Sequence, residues 1–417
     1  MAKLPTPKAI FNTIEDLHRQ TELTLMPDEE YRVPYASSDY RLARGFLLAY
    51  QKNHDTFRAY RGDIERLLQW SWLIKQQSIL AHRRQDIEEL LTFCLNPPLS
   101  WISNQLRPRF LKQPGGDLVR NPKWRPFVHC TAKDSKRVLT RGLHSDHYQP
   151  SEAAIKIMLA AWGSFYNYLI QEEIASMNPV ALIKQKSTII HLRQQHRPIR
   201  RLSNQQLSYV MKAAELMATE NPRVHNRTLF IIEALFGMYL RISELVSSQR
   251  WTPMMNHFFE DHDGNWWFKV LGKGNKERDI SVSDELLAAL KRYRHSLGLT
   301  PLPSNIEQEP LLPKLIGQGG ISNTRYLRAL VQQCFDRAKQ LMKQDGLREQ
   351  AKELEIATVH WLRHTGISED VKIRPREHVR DDAGHSSSAI TDRYIDIERR
   401  ARHSSARHKP LVPTDQQ

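Results

Sequence analysis

Residues 360–395 read HWLRHTGISEDVKIRPREHVRDDAGHSSSAITDRYI, and a few side chains in this stretch decide how the whole chain is read. His360 and Arg363 lie three apart, so on a helix they share one face. Ala383-Gly384-His385-Ser386 forms a second polar cluster, and Tyr394, in Asp392-Arg393-Tyr394-Ile395, comes nine residues after His385. Each segment is weak alone. His385 reads equally well as a helix-capping residue, and Tyr394 as a core aromatic.

Two segments upstream add to the pattern. Leu240-Arg241-Ile242-Ser243-Glu244-Leu245 puts an arginine inside an otherwise apolar helix, expected over 228–247, with Glu244 as its partner. Residues 272–278, GKGNKER, sit between Trp266–Leu271 and residues 279–282, so they are expected at the basic tip of a β-hairpin. Ser203 can cap a helix whose apolar face is Leu207, Val210, Met211 and Ala214. Helices are expected again from Asp284 to the end, broken by Pro- and Gly-rich loops at 300–320.

The N-terminal half is also helical in its periodicity. Phe57, Tyr60, Ile64, Leu67 and Leu68 step by three and four, as do Ile87, Leu90, Leu91 and Cys94. Trp162, Phe165 and Tyr166 continue the pattern and read as core. Between these runs, residues 97–149 carry Pro-Gly-Gly, Asn-Pro and exposed-looking aromatics, which predicts an irregular basic insertion, solvated or touching DNA. Residues 186–202, basic and polar, read as a linker. The expected organisation is an N-terminal arm or short leading helix over 1–39, a helical domain over 40–185, the linker, a C-terminal domain over 203–400 and a tail over 401–417. The fold class is mainly α with a small antiparallel sheet.

Composition narrows the partners. Lys and Arg total 61 against 46 Asp and Glu, a net charge of +15, which favours a polyanion. Three separated cysteines form no CxxC pair, which argues against a zinc knuckle and suits a reducing, cytoplasmic setting. No run approaches the ~18 uninterrupted apolar residues of a membrane span, so no membrane partner is expected.

In order, Arg241, Lys273, His360-x-x-Arg363, Gly384-His385 and Tyr394 resemble the signature of the tyrosine recombinase (phage integrase) family, with a catalytic domain similar to the Xer type. GKGNKER is especially similar to the hairpin of Xer-type recombinases and phage integrases. The resemblance covers about 203–400, and more loosely the N-terminal half as a helical core-binding domain. Tyr239 stands where the family usually has Gly, and Ile390 where Thr is common. Neither departure is expected to touch a catalytic group.

The resemblance implies a chemistry the residue types can perform. A phosphodiester resists attack because its oxygens are negative, and guanidinium groups set in place beforehand stabilise the added charge. Arg241 and Arg363 would form that clamp in place of a metal ion, so no cofactor and no metal is expected. Tyr394 would be the nucleophile, leaving a phosphotyrosine that a deoxyribose hydroxyl can later reclaim without ATP. Lys273 would protonate the leaving oxygen, with Lys276 as the runner-up. His360 would accept or position the tyrosine proton, and His385 would bond a non-bridging oxygen. Lys276 and Arg278 on the hairpin, with Arg197, Arg200 and Arg201 in the linker, are candidate DNA contacts. His364, Arg393 and Arg278 read as exposed charges outside the catalytic set, and Glu244 as the orienter of Arg241.

The partners implied are double-stranded DNA carrying specific recombination sites, a homo-tetramer assembled on it, and accessory proteins as an open addition. Two other readings remain: a type IB topoisomerase-like DNA relaxing enzyme, and a non-catalytic DNA-binding regulator.

Overall fold

The computed structural model describes residues 4–19, 33–129, 148, 150–181, 183, 199–272, 275–395 and 407. The chain divides into two compact units, Met1–Gln194 and Gln195–Gln417. Helices dominate both, with small sheets, as the apolar periodicities require. Among the described residues no helix is long and apolar enough to cross a membrane.

In the first unit the helices Ala36–Ala49, His54–Trp70, Arg84–Leu95 and Glu152–Gln171 surround a core that includes Leu67, Trp72, Leu91, Trp162 and Phe165. Asn53 starts the second of these by accepting the Thr56 backbone N–H at 3.2 Å. One sequence expectation is corrected here. The insertion, expected to be irregular, forms two short strand pairs where described, while its tips stay exposed. Ile102–Ser103 pairs in parallel with Phe127–Val128, and Phe110–Lys112 pairs antiparallel with Leu118–Arg120. Trp101 and Phe127 are fully buried in the main core, because burying such a side chain is worth about 1.5–3 kcal/mol. The leading segment, read as an arm or a short leading helix, holds the helix Ile14–Arg19. Ile10, Phe11 and Leu17 are buried in the same core, and the carboxylate of buried Glu65 accepts the backbone N–H of Phe11 at 3.2 Å.

The second unit is built on Asn204–Glu220, Pro222–Gly237, Asp284–Ser296, Thr324–Gln344 and Val359–Asp370. Ser203 and Gln206 cap the first helix reciprocally, at 3.1 and 2.9 Å. Phe230 stacks on Tyr293, ring centroids 4.6 Å apart, in a core shared with Val331, Phe335 and Leu362. The expected hairpin is present, and a third strand that the sequence reading misses extends it. Phe258–Glu260 pairs with Trp266–Leu271, which pairs with Glu277–Ser281. Phe268, Val270 and Ile280 point into the core from this sheet. The helix expected over 228–247 is corrected too: it ends at Gly237, and the backbone turns left-handed at Tyr239, with φ of 50°. A short 3-10 turn, Ile242–Leu245, follows.

Candidate active site

The early end of that helix positions Arg241. The residue is extended rather than helical, at φ −77° and ψ 143°, and heads the 3-10 turn. Its backbone N–H and its guanidinium Nη1 both donate to Glu244, at 2.8 and 3.0 Å. Glu244 therefore orients Arg241, as expected. The same buried carboxylate also takes both terminal nitrogens of Arg278, at 3.0 and 2.9 Å. Burial works to raise the Glu244 pKa, but the Arg278 hydrogen bonds and charge, with the Arg241 backbone, outweigh it and hold the carboxyl below its ordinary range. The sequence reading makes Arg278 an exposed charge and a DNA contact. Instead its side chain is 11% exposed, and its Nε donates to the Asp382 carbonyl at 3.0 Å.

Arg363 lies on the helix Val359–Asp370, which crosses Pro222–Gly237 closely. A Cβ on Gly366 would stand 2.1 Å from the Phe236 carbonyl oxygen, so only glycine permits this approach. The crossing brings Arg363, 5% exposed, under two backbone carbonyls. Nη1 donates to Tyr239 and Nη2 to Ala383, the latter at 2.6 Å. Burial, then the charge of Arg241, lowers its pKa to about 10, so it remains a cation at neutral pH. Tyr239 thus does touch the candidate clamp, contrary to expectation. Its hydroxyl donates to Asp370 and accepts from Arg374 at 3.0 Å, and Arg374 also pairs with Asp382 at 2.6 Å.

The helix Arg376–Ala383 ends at Gly384, which is left-handed at φ 62° and closes the helix. The carbonyls of Asp382 and Ala383 at this terminus are the ones that hold Arg278 and Arg363. His385 follows, its Nδ1 bonded to the Thr391 hydroxyl at 2.9 Å. Burial, then the charges of Arg363 and Arg241, pushes its pKa down to about 4. The His385 ring stacks on Tyr394, centroids 5.8 Å apart. Tyr394, on Ser388–Ile395, is 6% exposed, and its hydroxyl meets His364 Nδ1 at 2.7 Å.

Sequence reasoning sets His364 aside as an exposed charge, yet it is the histidine bonded to the tyrosine hydroxyl. The signal that could have found it is its place four residues after His360 on one helix face. His360 stands at the surface, its ring centroid 6.2 Å from that of His364. Enough of the His360 ring is covered that burial, followed by the charges of Arg363 and Arg328, lowers its pKa. Lys276 is exposed on the hairpin, Arg200 is exposed, and Arg201 pairs with Glu369 at 3.1 Å. Lys273, Arg197 and nearly all of the tail lie outside the described residues.

No protein-family model matches the chain. Tyrosine recombinase XerC of Myxococcus xanthus is 26% identical over 270 residues, 61% of this chain and 74% of that relative. XerC of Chlorobaculum parvum is 26% identical over 151 residues, a match that spans 42% of that relative's length. The crystal structure of the XerH site-specific recombinase bound to palindromic difH shares the fold: TM-score 0.53, 14% identity, 97% of this chain and 99% of that one. The chain is thus similar in sequence to tyrosine recombinases over about three fifths of its length and shares the fold of one of them. Of the signature residues, Arg241, Arg363, His385 and Tyr394 lie together in the second unit, where His364, outside the signature, bonds the phenol, while His360 stays at the surface.

Proposed function

We propose that this chain cuts and rejoins DNA at specific sites through a 3′-phosphotyrosine on Tyr394. One observation carries the reading: the Tyr394 hydroxyl is bonded to His364, its ring lies against His385, and the buried cation Arg363 stands close to both Tyr394 and Arg241. A phosphodiester seated on the two arginines would have its non-bridging oxygens neutralised before attack. Among the described residues two of the five Arg363 N–H donors are taken by carbonyls, which fixes its plane and leaves three for phosphate. Tyr394 Oη bonds to phosphorus as the P–O5′ bond breaks, and Lys273 on the hairpin protonates the departing oxygen. The 5′ hydroxyl of a second strand later reverses the step. The chemistry needs neither metal nor ATP.

The XerC relatives are named tyrosine recombinases, which supports strand exchange as the outcome of this chemistry. Exchange between two duplexes cuts four strands, so the active form is a homo-tetramer on double-stranded DNA. The chain's length and its insertion favour a mobile-element integrase. Lys276, Arg197, Arg200 and Arg201 stay as proposed DNA contacts.

Covalent capture tests this and needs no chosen target sequence. The protein is incubated, with EDTA present, with a randomised pool of nicked duplexes, and DNA that stays protein-linked through denaturant is sequenced. The expected result is an enriched sequence and an adduct mapped to Tyr394, absent from Tyr394→Phe. An adduct on another side chain, or none, would overturn the reading. Arg363→Ala should lower the adduct rate on the order of a hundredfold or more.

A further inference from the structure

We infer that His364 is the base that takes the proton from Tyr394 when the tyrosine attacks DNA. The inference rests on the recombinase reading above and names the group that activates its nucleophile. At 2.7 Å, His364 Nδ1 is within proton-transfer reach of the phenolic oxygen. With Tyr394 donating, Nδ1 is the acceptor and the imidazole proton sits on Nε2. The other two histidines of the site are placed differently. His385 directs its Nδ1 to Thr391 and lays its ring against Tyr394, so it packs the nucleophile. His360 is at the surface one helical turn before His364. His364 is also placed with rigidity, because it follows Arg363 on the helix locked at Gly366 against Phe236.

The step balances. The Oη–H bond breaks as Nδ1–H forms, and the phenolate electron pair makes the Oη–P bond. The P–O5′ bond breaks, and the 5′ oxygen takes a proton from the hairpin lysine. The imidazolium appears as negative charge builds on the phosphorane, so the two charges develop together. On religation His364 returns its proton to Oη as the deoxyribose hydroxyl, giving its own proton to the hairpin lysine, attacks phosphorus and the Oη–P bond breaks.

The test uses the full chain and the duplex enriched by covalent capture. His364→Asn keeps an acceptor near the Nδ1 position but no base, and His364→Ala removes both. Both should slow adduct formation about 10²- to 10³-fold with DNA binding unchanged. Replacing Tyr394 by a trifluorotyrosine, whose phenol ionises near neutral pH, should shrink that gap to less than about tenfold, because the nucleophile then needs no base. A gap that stays full-sized with the fluorinated nucleophile overturns the assignment. So does His364→Asn reacting at the rate of the unaltered protein, since a hydrogen bond alone would then suffice. Absence of any adduct from the unaltered protein would sink the recombinase reading and this assignment together; equal rates in the variants would sink only the assignment.

Discussion

Glu244 is the residue whose loss should most clearly separate scaffold from chemistry. It is buried, its side chain 3% exposed, and it accepts four hydrogen bonds: two from Arg278, one from the Arg241 guanidinium and one from the Arg241 backbone. Glu244→Gln keeps the shape but removes the charge, and it turns an NH2 donor toward guanidinium donors. Removing one partner of a buried pair costs about 3–5 kcal/mol, because the remaining cation is left uncompensated. Arg278 is nearly as buried as its partner, which argues for the fuller range, but Arg241 is 28% exposed and can turn to water. We therefore expect a loss of about 3 kcal/mol in the second unit, measured by urea unfolding. For a unit of this size that is a fall of roughly 6–12 °C in Tm. The pH dependence gives an independent check. The folded-state pKa of Glu244 is depressed, so its contribution is present above the unfolded value and disappears as pH falls through the folded one. The gap between the two proteins should thus close in acid. Adduct formation should fall further than stability alone explains, since Arg241 loses its orienter. A variant within about 0.5 kcal/mol of the parent at pH 7, with the same adduct rate, would refute the carboxylate's role.

Other outcomes follow from single features. Gly384→Ala puts a Cβ on a backbone at φ 62° and 3.0 Å from Arg278 Cδ, so it should cost about 1–3 kcal/mol in thermal unfolding and slow adduct formation. His385, with its folded pKa near 4, binds fewer protons than the unfolded chain between that value and the ordinary histidine range. Stability should therefore rise with pH across that window, and His385→Gln should flatten the rise, as read by denaturation at several pH values.

Much of this is legible in the chain. Arg363, His385 and Tyr394 stand out because order and spacing are sequence properties, and the helical cores follow from apolar periodicity. What stays hidden depends on distant partners. Arg278 looks like a surface charge until Glu244, 34 residues earlier, is folded against it. The helix before Arg241 stops at Gly237 for a tertiary reason: the left-handed turn at Tyr239 carries the carbonyl that receives Arg363. Periodicity alone cannot tell His364 from His360, because only the packing of Ser388–Ile395 makes one inward and leaves the other at the surface. The aromatics at Trp101 and Phe127 sit among turn-forming residues, whose local preference is overridden by the core they enter.

Tyr239 has a consequence for how this sequence can drift. A tyrosine at positive φ is held by its hydroxyl's two partners, Asp370 and Arg374, and Arg374 is in turn shared with Asp382. A glycine at this position would adopt the turn without strain and place no demand on either partner. Losing the tyrosine would leave Asp370 its ion pair with Arg374 at 3.1 Å, and losing Asp370 would leave the hydroxyl its bond from Arg374, so neither change strands the other residue. The position can therefore drift between tyrosine and glycine while Arg374 keeps its bridge between Asp370 and Asp382.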